Sequence, residues 1–272
     1  MNSAVFYSSK TDMWATPQDF FDALDAEFHF TLDACAVKEN AKCEAYYTPE
    51  QDGLDQPWTG RVWCNPPYGR NVGQWVKKAH DTFHVAPLSA ADFTDKRPHA
   101  VIGMVPGEIV SEDAGYADHI DLEQDILKIA VIERHKNTHH IGLGYIKGYG
   151  LKHGTVATSI SHDSHNIIVV GTSEEDMAAA ANRIVENRGG ITVMDGGQIL
   201  GEVALPIAGI MSDDSLVMVN SALEAAKDEA FRLGVSRGID PFMTLSFMAL
   251  PVIPSLRLTT RGVFDVLTQR YV

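Results

Sequence analysis

The spacing of apolar positions changes character along the chain. Behind Thr16-Pro17, Phe20, Phe21 and Leu24 fall on one face of a helical repeat, which predicts a short amphipathic helix with proline at its first position. Residues 28–32 alternate apolar and polar side chains and predict a strand. That strand delivers Asp33 to its carboxyl end, where open α/β sheets take their ligands, so Asp33 is a candidate cofactor contact. Residues 61–64 predict another strand, with Asn65-Pro66-Pro67-Tyr68 at its tip. From about His84 to Pro98 the periodicity lapses into a loop or junction rich in Pro, Ser and Asp. Beyond it, residues 99–105 predict a strand and residues 141–150 a glycine-spaced strand. Residues 122–134 predict an amphipathic helix with Ile126, Ile129, Ala130 and Val131 on its apolar side, and residues 166–170 a buried strand. Thr172-Ser173-Glu174-Glu175 has a capping-box pattern and opens a helix through about Asn187, which Gly189-Gly190 stops. Residues 191–194 and 198–203 flank Asp195-Gly196-Gly197 and predict a hairpin. A last helix over 215–233 places Lys227 and Arg232 late, as the helix dipole favours. The expected architecture is α/β throughout: a partial α/β fragment over 1–83, a junction over 84–98, and a mixed α+β domain of short strands and helices over 99–272.

Composition adds that 272 residues, 45% hydrophobic and 21% charged, can build one large core or two modest ones. Runs such as 167–170 and 242–253 are shorter than the ~20 apolar residues of a membrane span. With no secretory signal visible at the start, the expected compartment is the cytoplasm, with no membrane partner. Tryptophan does not recur after Trp75, which marks a change of texture across the junction. The net charge of −14 divides as −5 over 1–83 and −9 over 84–272, so neither part has the basic excess that drives non-specific binding to phosphate backbones. Cys35, Cys43 and Cys64 have neither disulfide-framework nor zinc spacing and are expected as reduced thiols.

The Asn65-Pro66-Pro67-Tyr68 loop has chemistry suited to an aromatic amine. The Asn65 side-chain oxygen and the Pro66 carbonyl can both accept from an exocyclic amino group, Tyr68 can stack on the base, and two prolines stiffen the loop. Alternatively, Pro-Pro-Tyr is only a rigid turn. Around it stand Thr11-Asp12-Met13-Trp14-Ala15-Thr16-Pro17, Phe30-Thr31-Leu32-Asp33, Ala41-Lys42-Cys43, Tyr47-Thr48-Pro49 and Asp52-Gly53-Leu54. Together these motifs, over about residues 9–83, resemble the phage-type DNA N-6-adenine methyltransferase family. The resemblance implies methyl transfer from S-adenosylmethionine to adenine, with DNA as partner, Asn65, Pro66, Pro67 and Tyr68 holding the base, and Asp33 near the cofactor. A base within a duplex would have to be flipped out to reach that loop. The family's continuation past this loop is absent after about Phe83, so methyl transfer by this fragment alone is not expected.

Seven of the eleven histidines fall between 119 and 165, most densely in His162-Asp163-Ser164-His165-Asn166. Two imidazoles and a carboxylate can bind a divalent metal or move protons. Equally, they can be polar loop residues that satisfy one another, because an HxxH spacing on a loop does not set both rings on one face. Val101 to Gly107, Val131-Ile132-Glu133-Arg134-His135, residues 162–171, Leu205-Pro206-Ile207-Ala208-Gly209 and Asp240-Pro241-Phe242-Met243-Thr244-Leu245-Ser246-Phe247 carry a second resemblance, to adenine deaminase, over about 95–272. It implies hydrolytic deamination of adenine to hypoxanthine and ammonia in purine salvage, with manganese or another divalent metal activating the water. The polar cluster beside a strand edge makes His162, Asp163, His165 and Asn166 candidate catalytic residues that would complete or cover such an active site, with His162 and His165 as candidate metal ligands. The metal-bearing amidohydrolase barrel that precedes this region in the family is absent from residues 1–98, whose histidines are His29, His80 and His84. By itself the chain is therefore expected to be inactive as a deaminase. Three classes stay open: a hydrolase domain acting on adenine, a DNA-modifying transferase fragment, and a non-catalytic assembly domain that forms a homo-oligomer.

Overall fold

The computed structural model describes residues 15–58, 60–67, 71–79 and 83–272. The chain divides into two compact units, residues 1–80 and 81–272.

In the first unit, helix α1 (Gln18–Phe28) starts one residue later than the sequence predicts. Pro17 stands ahead of it with an extended ψ of 141° rather than inside the first turn. The helix also runs through Phe28, which the alternation assigned to a strand, and His29 ends it in the left-handed conformation at φ 51°. What remains of the predicted strand is β1 (Leu32–Asp33), parallel to β2 (Val62–Trp63) with Asp33 opposite Trp63. Both strands end on the same side and deliver Asp33 and Asn65 there. Phe21 of α1, Phe30 and Trp63 close the small core, with ring centroids 5.8 Å apart for Phe21–Phe30 and 5.1 Å for Phe21–Trp63. Helix α2 (Val72–Ala79) follows and buries Trp75.

The second unit is built on an eight-stranded sheet. Its strands are β3 (His99–Met104), β4 (Ser111–Ala117), β5 (Ile126–Ile132), β6 (Ile141–Lys147), β7 (Thr155–Thr158), β8 (Ile167–Gly171), β9 (Gly190–Asp195) and β10 (Gln198–Ala204). They lie in the order β10-β9-β7-β8-β5-β6-β3-β4, antiparallel except for the β3–β6 pair. Helix α3 (Glu174–Glu186) opens where the capping pattern put it, with the Ser173 hydroxyl accepting from the Asp176 N–H. The predicted hairpin forms between β9 and β10, and both of its turn glycines, Gly196 and Gly197, sit at positive φ (55° and 75°). Helices α4 (Leu216–Arg232) and α5 (Pro241–Met248) are capped by Ser215 and Asp240. Three strands, β11 (Leu256–Thr259), β12 (Gly262–Asp265) and β13 (Arg270–Tyr271), make a small antiparallel sheet.

The clearest departure from the sequence reading is β5, which the pattern over 122–134 assigned to a helix. Residues 121–125 are instead a turn: Asp121 Oδ1 accepts from the N–H groups of Glu123 and Gln124, and Asp125 takes φ 55°. The strand that follows is covered on both sides and apolar except at Lys128, whose buried ammonium pairs with Glu174. Leu127, Ile129 and Val131 belong to the core under α4 and α5, whereas Ala130 and Ile132 belong to the core under α3. A strand buried on both faces reads as a continuous apolar run, which periodicity does not separate from a buried helix. Residues 84–98, read from the sequence as a junction, hold a short 3-10 turn (Ala90–Phe93) and pack into the α3 core through Leu88 and Phe93. The Asn182 side chain fixes this segment by bonding both the N–H (2.9 Å) and the C=O (2.8 Å) of Leu88.

Candidate functional site

In the first unit the two strand ends open into a cavity of about 550 Å³. This lies within the range of roughly 300–1,000 Å³ typical of small-molecule sites. Asp33, Asn65, Pro66 and Pro67 all line it; Tyr68 lies outside the described residues. Asp33 is 3% exposed. Its Oδ1 accepts from the Cys35 N–H (3.2 Å) and its Oδ2 from the Lys42 N–H (3.1 Å). Burial raises its carboxyl above the usual value, against the opposing pull of those two N–H groups.

The sequence reading singled out the acidic residue and the Pro-Pro loop but gave no role to the aromatic walls. Tyr47, Trp63 and Trp75 also line the cavity, and Trp75 stacks on Trp58 with centroids 6.1 Å apart. The signal was present in the motifs Ala41-Lys42-Cys43, Tyr47-Thr48-Pro49 and Asp52-Gly53-Leu54, since Lys42, Thr48, Asp52 and Leu54 line the same space. Gly53 is fixed by close approach: a Cβ there would stand 2.0 Å from the Ala34 carbonyl oxygen and 3.0 Å from the Trp75 ring. Thr11 to Trp14 lie outside the described residues.

In the second unit, His162, Asp163, His165 and Asn166 sit on the connection from β7 to β8. The rings of His162 and His165 are 6.0 Å apart, and that of His162 stacks on Phe247 of α5 at 5.3 Å. Asp163 Oδ1 stands 3.6 Å from His162 Nδ1, with its side chain 86% exposed. Asn166 faces inward. Its Oδ1 accepts from the Arg134 N–H (3.4 Å), and its Nδ2 donates to Ser164 Oγ (3.0 Å). His165 Nδ1 accepts from the Ser161 N–H (3.4 Å), which leaves the ring proton on Nε2. Burial, then the charges of Arg134 and His162, push the His165 ring below its ordinary pKa, so it is neutral at neutral pH.

Arg134 anchors the loop. Its guanidinium donates to the carbonyls of His165 and Ala208 (2.8 Å to the latter) and lies 4.2 Å over the Phe83 ring. His135 Nε2 is 2.7 Å from the Ser164 carbonyl oxygen, so the Glu133-Arg134-His135 motif holds the loop from the end of a strand rather than of a helix. Glu133 closes its own turn by accepting from the N–H groups of His135 and Lys136 (2.6 and 3.0 Å).

The other histidines of the 119–165 stretch do not join this cluster. His119 pairs with Asp118, His139 with Asp92 and His153 with Asp195, all at the surface. Among the described residues no three His, Cys, Asp or Glu side chains converge in a set that could hold a metal ion. None of the described helices is long and apolar enough to cross a membrane.

Comparison with known proteins gives two family matches along the chain. Residues 4–87 match the model for DNA N-6-adenine-methyltransferase, and residues 107–270 match the model for the adenine deaminase C-terminal domain. The adenine deaminase of Bacillus subtilis (strain 168) is 47% identical over 191 residues, covering 66% of this chain and 33% of that protein. Adenine deaminase 1 of Rhizobium meliloti (strain 1021) is 38% identical over 238 residues, covering 84% of this chain and 40% of that protein. Adenine deaminase 2 of Carboxydothermus hydrogenoformans is 47% identical over 176 residues, or 62% and 31% of the two chains. The chain thus spans about a third of the length of the curated relatives it matches. By a model match over more than half of its residues, the chain belongs to the adenine deaminase C-terminal domain family.

Proposed function

We propose that residues 99–272 act as the C-terminal domain of an adenine deaminase-type hydrolase, which converts adenine to hypoxanthine and ammonia in purine salvage. The observation that carries this reading is the β7–β8 loop, held by Arg134 and Asn166 from below while His162 and Asp163 stay open to solvent. In this reading His162 and Asp163 meet the purine or its leaving amine. The neutral ring of His165 and the inward Asn166 keep the loop in place.

His162 and His165 do not by themselves fit manganese or another divalent ion. The carboxylate beside them is turned to water, and His165 Nδ1 is already in use as an acceptor. The metal that activates water is therefore assigned to the part of such enzymes that precedes this domain. By the same reasoning the 272 residues alone are expected to release no ammonia from adenine in the presence of manganese. Release that disappears in His162→Ala would overturn this. In an intact relative, alanine at the positions of His162 and His165 is expected to lower turnover. Unchanged turnover would return the loop to a purely structural role.

A specific observation favours a second reading for residues 1–83: a methyltransferase-type fragment that binds S-adenosylmethionine and adenine, the latter in DNA. Asp33, Asn65, Pro66 and Pro67 converge with Trp63 and Trp75 on one cavity of suitable size. Asp33 and the aromatic walls would hold the cofactor, and Asn65 with the Pro66 carbonyl would accept from the exocyclic amine. The cofactor supplies a methyl group when bound. Calorimetric titration with S-adenosylmethionine is expected to give saturable binding that Asp33→Ala removes; equal binding by both proteins would sink the assignment.

A further inference from the structure

The cavity of the first unit carries a pair of thiols that this reading leaves unused. Cys35 follows β1 and Cys64 follows β2, so adjacent parallel strands bring the two side chains together at their carboxyl ends. The Sγ atoms are 3.9 Å apart, in hydrogen-bonding contact, and both residues are free and partly exposed. Cys35 lines the cavity, and Cys64 directly precedes Asn65, which lines it too. Cys43, the third thiol, forms no such pair.

We propose that Cys35 and Cys64 are a reversible oxidative modification site, closing to a disulfide that reshapes the cavity beside Asp33 and Asn65. The proposal goes beyond the second functional reading and leans on it only for what the cavity binds.

The chemistry balances with a peroxide as oxidant. Either sulfur can open the reaction, because the two thiols face each other at 3.9 Å. That sulfur displaces water from hydrogen peroxide and becomes a sulfenic acid. The other sulfur then attacks the sulfenic sulfur and expels hydroxide, which takes up that thiol's proton as a second water. Two thiols and one peroxide thus give one disulfide and two waters.

Bond formation must bring the sulfurs from 3.9 Å to about 2.0 Å. The shift is taken up by the two segments that follow the strands. One carries the Cys35 N–H that bonds Asp33, and the other carries Asn65, Pro66 and Pro67.

The test uses the full chain, reduced, desalted and exposed to a small excess of hydrogen peroxide. The expected result is a fall from three free thiols to one, a loss of the mass of two hydrogen atoms, and a single Cys35–Cys64 linked peptide, all reversed by dithiothreitol. Cys43→Ser should behave as the parent does, with two thiols falling to none, and Cys35→Ser and Cys64→Ser should form no internal link. Retention of three thiols, a link through Cys43, a link between chains, or stable sulfinic acid at Cys35 or Cys64 would overturn the proposal.

A second measurement reads the cavity without a ligand. All four tryptophans lie within the first 80 residues, and Trp63 and Trp75 line the space. Disulfide formation should shift or quench their emission in the parent and in Cys43→Ser. An unchanged spectrum after quantitative disulfide formation would refute the coupling to the cavity. Failure of S-adenosylmethionine to bind the reduced chain would count against the functional reading and leave the thiol result standing.

Discussion

At the scale of single residues, close approach and hydrogen bonding decide more than residue type does. Gly53 is the sharpest case. Alanine there would press on the Ala34 carbonyl and the Trp75 ring, so Gly53→Ala is expected to destabilise the first unit by about 1–3 kcal/mol, read as a lower midpoint in tryptophan-detected unfolding. An unchanged midpoint would mean that the backbone moves aside there. Asp240 works in the opposite way. Its Oδ1 caps α5 by accepting from the N–H groups of Phe242 (3.0 Å) and Met243 (2.9 Å), and its Oδ2 pairs with Lys227 at 2.9 Å. Asp240→Ala is expected to cost about 0.5–2 kcal/mol in urea unfolding of the second unit. Burial pushes the Asp240 carboxyl up, but the Met243 N–H, Lys227 and the Phe242 N–H together bring it below its ordinary value of 3.8. The stability it contributes is therefore present above that value and lost as pH falls through the lower folded value. Asp33 has the reverse sign. Its folded carboxyl is raised, so its contribution is fullest below 3.8 and declines as pH rises through the folded value.

At the scale of elements, the central strand β5 contributes to both cores. Ile129, fully buried, is expected to cost about 2–5 kcal/mol on truncation to alanine, whereas Ile199, 44% exposed on β10, should cost no more than about 0.5 kcal/mol. Equal effects in chemical denaturation would contradict the layer assignment. This strand also shows what the sequence could reveal. The capped helices α3 and α4, the β9–β10 hairpin and β3 were legible because each announces itself locally, through a cap, a turn or a bounded apolar run. Residues 122–134 were not, because the local pattern of a doubly buried strand matches that of a helix and only the neighbouring layers distinguish them. The site divides along the same line. Asp33 and Asn65–Pro67 were legible as strand-end residues, whereas Trp75 enters the cavity from α2 and Tyr47 from a loop, placements set by folding rather than by spacing. For the histidines, proximity in sequence overstated proximity in space, since three of the seven pair with separate surface carboxylates.

At the scale of the whole molecule, two units with separate cores should unfold as two transitions. In the second unit Glu174, Glu202 and Asp240 are all held below their ordinary values. For Glu174, burial works against this, and the Lys128 hydrogen bond is the first of the opposing contributions that together prevail. Lowering the pH from about 5 to about 3 should therefore bring down the transition of the second unit more steeply than that of the first, where Asp33 contributes with the opposite sign. Scanning calorimetry across that range checks this, and parallel shifts of both transitions would refute it.

The packing of Leu88 and Phe93 under α3 decides where the gene can be cut. Expression of residues 107–270 alone, the stretch that matches the family model, would discard β3 from between β6 and β4 and strip the apolar cover from Met177, Ala181 and Ile184. That fragment should accumulate in inclusion bodies, whereas one beginning at Phe83 keeps the sheet and the cover and should remain in the supernatant.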